Sequence, residues 1–119
     1  EVMTNTTILP GRPIKYWWSA IKDFEEITGL VWLAFLRTFE KQEYTSEGLI
    51  TLAWCGLKCG YRIDKKEFDL SEDDVADIID NYPGAMFAIY ELAIESYTAA
   101  MTPGNGQQPV KKTALKKIS

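Results

Sequence analysis

The segment Leu30–Phe39 limits the possible folds more than any other part of the chain. Leu30, Val31, Trp32, Leu33, Ala34, Phe35, Leu36 and Phe39 leave a helix there with almost no polar face. Such a helix is buried on both sides, by its own core or by a partner. Its unbroken apolar run, Leu30 to Leu36, falls well short of the ~20 residues that cross a bilayer. At 119 residues the chain is one domain's worth of sequence. A chain of this size buries roughly two thirds of its unfolded surface.

The flanking patterns are helical as well. Trp17, Ile21, Phe24 and Thr28 recur at helical spacing from Lys15 onward, and Gly29 supplies a stop. Thr45-Ser46 offers an N-cap for a third helix carrying Leu49, Ile50, Leu52, Ala53, Trp54 and Leu57. That helix is expected to end near Lys58, with Gly60 as its C-cap. Tyr61–Leu70 reads as a polar linker. Ser71-Glu72-Asp73-Asp74 resembles a capping box opening a fourth helix, which Asn81-Tyr82-Pro83 ends. Pro83 fits the first turn of a fifth helix that reaches about Met101. Ahead of these, Met3–Ile8 is β-branched and Pro10-Gly11 is turn chemistry, which predicts a short strand or hairpin. The expected fold is all-α, with four to five helices and a minor N-terminal β strand or hairpin. Residues 1–102 form the body, and residues 103–119 a flexible basic tail.

The net charge of −4 is unevenly spread. Residues 103–119 hold four lysines and no acid, whereas residues 1–102 set 9 basic residues against 17 acids, a balance of −8. A body of that sign disfavours phosphate backbones, so no nucleic-acid partner is expected. There is no histidine, which removes the commonest general base and the commonest metal ligand. Cys55 and Cys59 lie four apart on one helical face. They read as buried core thiols of a reduced, intracellular protein, since a zinc site would need two further ligands. The acidic run from Asp64 to Asp80 fails the calcium-loop pattern, with Asp74 where glycine should stand. Glu25-Glu26 and Glu91/Glu95 read as surface carboxylates. No enzymatic activity, cofactor or metal is expected, and no membrane association.

The remaining anomaly is aromatic excess: four Trp, six Tyr and five Phe. Trp18 lies about 100° round the helix from Trp17. It either serves a partner or lies flat over a neighbouring helix. Trp18, Trp32, Phe35, Phe87 and Tyr90 exceed what one stripe per helix can bury, which makes them the expected partner-binding residues.

Three phrases in succession resemble a known family. They are Trp18-Ser-Ala-Ile-Lys-Asp-Phe-Glu-Glu-Ile-Thr-Gly29, Leu52-Ala-Trp-Cys-Gly-Leu-Lys58 and Phe68-Asp-Leu-Ser-Glu-Asp-Asp-Val-Ala-Asp-Ile-Ile-Asp80. Their order and spacing, across roughly residues 13–100, are similar to those of the tail assembly chaperones of long-tailed bacteriophages. The Cys pair, the apolar Leu30–Phe39 stretch and the extra tryptophans depart from that pattern. The resemblance implies a non-catalytic protein that binds the tape-measure protein in the host cytoplasm and is absent from the mature virion. The tail tube protein is a further candidate partner, and exposed apolar patches favour a homo-oligomer. Two other readings compete: a structural phage component such as a head–tail connector subunit, and a small helical DNA-binding regulator. The latter suits the sequence less well, because the would-be recognition helix carries Asp73, Asp74, Asp77 and Asp80.

Overall fold

The computed structural model describes residues 3–101, which form five helices. The expected basic tail, 103–119, lies outside the described residues. The helices are α1 (Trp18–Thr28), α2 (Trp32–Glu40), α3 (Ser46–Ile63), α4 (Glu72–Asp80) and α5 (Ala85–Met101). Helix α3 is the axis of the molecule. α1, α4 and α5 pack against it, and α2 packs on α1.

The central position of α3 follows from its small residues. Gly48, Ala53, Gly56 and Gly60 are all buried along it. A Cβ on Gly60 would overlap the Pro13 carbonyl, and one on Gly56 would overlap the Tyr16 ring. This corrects the expected C-cap role of Gly60. The helix runs on through it to Ile63, because the glycine serves a close approach of the N-terminal segment and not a left-handed stop. Tyr61 therefore belongs to α3. Phe68 and Leu70 of the supposed polar linker pack on the core. Trp54 anchors that linker by donating Nε1–H to the Leu70 carbonyl at 2.8 Å, with its ring edge-on to Phe68.

The N-terminal strand or hairpin is not formed. Among the described residues the only β feature is a single antiparallel bridge, Asn5 to Ile14, with both N–H···O bonds at 2.9 Å. The donors that would extend it are taken elsewhere. Thr7 and Ile8 give their N–H groups to Asn5 Oδ1, Arg12 gives its own to Leu9, and Lys15 gives its own to Gly56 of α3. A turn of this kind competes directly with a ladder. Its outer end is latched to α3 by Arg12, which donates to the Tyr61 hydroxyl at 2.9 Å.

The other helix ends are set by local chemistry. Gly29 closes α1 in the left-handed region, at φ 73°. Val31, the N-cap of α2, offers no side-chain acceptor, so Glu25 of α1 accepts the Trp32 N–H at 2.9 Å. Thr45 caps α3, and Ser71 and Asp74 form a reciprocal capping box at α4. Pro83 precedes the fifth helix, which begins at Ala85 after Gly84 turns the chain at φ 88°.

Candidate protein-binding surface

The five expected contact residues divide sharply. Trp32, Phe35 and Tyr90 are buried, whereas Trp18 and Phe87 are 58% and 57% exposed. For the buried three, the expectation of surplus surface is corrected, because α1 and α2 enclose one aromatic cluster. The Phe24 ring meets Trp32 edge-on at 5.4 Å and Phe35 at 4.9 Å. Tyr90 stacks on Phe39 at 3.8 Å and donates its hydroxyl hydrogen to the Leu36 carbonyl at 3.0 Å. Burial raises the Tyr90 phenol above its ordinary pKa, with Glu40 adding to the effect. Trp32 Nε1 is buried with no hydrogen-bond partner. That cost is accepted here in exchange for ring packing.

Trp18 stays outside because the buried stripe of α1 is Ala20, Ile21 and Phe24, and Trp18 flanks it. Trp17 was expected on that stripe. It is instead the N-cap, with extended backbone, and remains 42% exposed. Tyr16 fills the interior place. It is buried, donates to the Leu52 carbonyl at 2.7 Å, and is raised well above its ordinary pKa by burial, then by the nearby thiols.

Around Trp18 lie two open grooves. The larger, of about 520 Å³, separates the start of α1 from the C-terminal half of α5. Trp17 and Trp18 form one wall; Leu92, Ser96, Ala99 and Ala100 form the other at helical spacing, with Lys15 and Glu95 also lining it. The smaller, of about 240 Å³, shares Trp18 and Ile21 and continues over Val31, Leu33, Tyr97 and Met101. Trp18 thus stands as a ridge between a larger depression of mixed polarity and a smaller, mainly apolar one. Phe87 sits apart from them, its ring 6.4 Å from Phe39, which also stacks with Tyr44 at 4.9 Å.

The sequence missed part of this surface. α2 was expected to be buried on both sides, but Val31 and Ala34 are exposed and Leu33 is half-buried. The small-residue wall of α5 gave no signal, since alanine and serine suit any helix position. Glu25, read as a plain surface carboxylate, caps α2.

Cys55 and Cys59 are free and buried, and burial, followed by Asp23, pushes the Cys55 thiol up to about 12. Among the described residues no group of three or more Cys, Asp or Glu could hold a metal ion, and no helix is long and apolar enough to cross a membrane. No family model, curated protein or solved structure matches the chain.

Proposed function

We propose that this protein is a tail assembly chaperone of a long-tailed bacteriophage. It binds amphipathic helices of the tape-measure protein in the host cytoplasm and keeps them from aggregating while the tail tube grows. The reading starts from the resemblance of the three sequence phrases. The observation that carries it into the structure is Trp18, more than half exposed on a ridge between two open grooves, of which the smaller is mainly apolar. Grooves of this type receive the apolar face of a helix through side chains one turn apart. An aromatic ridge supplies large contact area at small entropic cost. Acidic charge over the rest of the body keeps such a sticky surface in solution.

The test is binding of helical segments of the tape-measure protein to the purified chain. Trp18→Ala should weaken binding by about 2 kcal/mol, as expected of a hot-spot aromatic, without lowering Tm. Unchanged affinity would remove the groove from the reading. Detection of the chain in purified virions would favour a structural tail or connector component instead.

A further inference from the structure

We propose that residues 103–119 fold back along the uncovered face of α5, with Lys112 and Lys116 meeting Glu95 and Glu91 and the last residues covering Phe87. Three observations, none of which depends on the tape-measure reading, point to the chain's own C-terminal segment as the occupant of that face.

The first is charge. The acidic excess of the body is not spread through it. Residues 67–102 hold nine of the 17 acids and no lysine or arginine, while residues 1–66 set 9 basic residues against the other eight acids. The segment that follows, 103–119, holds four lysines and no acid. A balance of −9 is thus joined directly to one of +4. Opposite charges attract across the surface, and a short covalent link holds the lysines near the acids at an effective concentration on the order of millimolar.

The second is the face itself. Phe87, Glu91 and Glu95 recur every four residues and are all exposed, so they mark the side of α5 that its neighbours leave uncovered. Neither glutamate takes part in an ion pair among the described residues. Glu95 also borders the larger groove, whereas Phe87 and Glu91 lie outside both grooves. Helix α4 is acidic too, but Glu72, Asp73 and Asp74 serve its own first turn and capping box. Glu91 and Glu95 stand in the body of α5, where no helix end uses their charge.

The third is register. α5 ends at Met101, and Pro103-Gly104-Asn105-Gly106 is turn chemistry. An antiparallel return at the same helical rise needs a connection of only a few residues there. It sets Lys112 beside Glu95 and Lys116 beside Glu91, because both pairs are four apart. The same register brings Ile118 to within about a turn of Phe87, so an apolar side chain arrives where the exposed ring needs one.

Nuclear magnetic resonance of the full chain, spin-labelled at Ser119→Cys, tests the proposal. Cys55 and Cys59 are buried, so the label goes to the introduced thiol. Amide signals of Phe87, Ala88 and Glu91 should be broadened away and should return when the label is reduced with ascorbate. Salt at about 1 M, where the Debye length is about 3 Å, should restore most of that intensity. Lys112→Glu/Lys116→Glu should abolish the broadening without changing Tm. Adding Glu91→Lys/Glu95→Lys to that variant should bring it back. Unbroadened α5 signals, broadening centred on α4, broadening that survives salt, or a charge swap that fails to restore contact each overturns the proposal. So does broadening of an isotope-labelled chain by a separate spin-labelled one, since the occupant is then a second copy.

Discussion

Helices α3 and α5 are the two longest among the described residues and both are rich in apolar side chains, yet they lead opposite lives. α3 is buried through most of its length, while α5 buries Ala85, Ile89, Tyr90 and Ala93 and leaves Phe87 and Met101 more than half exposed. Apolar content therefore does not decide which helix becomes the core. Glycine does: Gly48, Gly56 and Gly60 let two rings, Phe35 and Tyr16, and a stretch of backbone come within contact of the α3 axis. α5 has no glycine within it and presents bulky side chains in several directions, so its neighbours cover only one stripe.

The sharpest way to break this contrast is Gly60→Val. Its Cβ would meet backbone, which cannot swing aside, and about 3 kcal/mol or more should be lost. Chemical denaturation reads this directly, and Ala100→Leu in α5, facing open groove, should cost less than about 0.5 kcal/mol. A pair of leucines sharpens the comparison. Leu52→Ala, at a fully buried position of α3, should cost about 3 kcal/mol, and Leu92→Ala, at a half-buried position of α5, about 1 kcal/mol. Near-equal losses would mean that α5 is covered as thoroughly as α3.

Alkali probes the same centre. The Cys55 thiol is raised when folded, so its stabilising contribution is complete below the ordinary thiol value of 9.0 and disappears as pH rises toward about 12. The unfolding midpoint should hold up to about pH 9 and then fall, and Cys55→Ala should flatten that fall. Native protein should resist thiol reagents at pH 8. The smallest effect is at an end that neither helix supplies: Ser71→Ala should cost about 1 kcal/mol by opening the α4 capping box.

Much of this architecture was legible because helix ends are written locally. Gly29, Thr45 and Ser71 each act within a few residues of themselves, and each boundary fell where that chemistry put it. What failed depended on distant partners. Gly60 looks like a stop unless Pro13 is known to lie against it. Trp32, Phe35 and Tyr90 look surplus unless Phe24 and Phe39 are known to enclose them. Likewise Trp17 looks internal to a helix running from Lys15, whereas α1 starts at Trp18 and leaves Trp17 as its N-cap. Of the exposed surface, Trp18 and Phe87 could be picked out, whereas the α5 wall facing Trp18 could not.

The docking of Pro13–Tyr16 onto Gly56 and Gly60 also orders events during synthesis. Those partners lie forty or more positions apart in the chain, as do Arg12 and Tyr61. Local helices form in microseconds or less, but a long-range closure waits for both ends to exist. A ribosome adding ~5–20 residues per second releases the N-terminal segment seconds before α3 has fully emerged. During that interval Leu9, Ile14 and Tyr16, all buried in the finished fold, have no surface to cover them. The nascent chain is therefore at its stickiest early, and the emergence of α3 brings that exposure to an end.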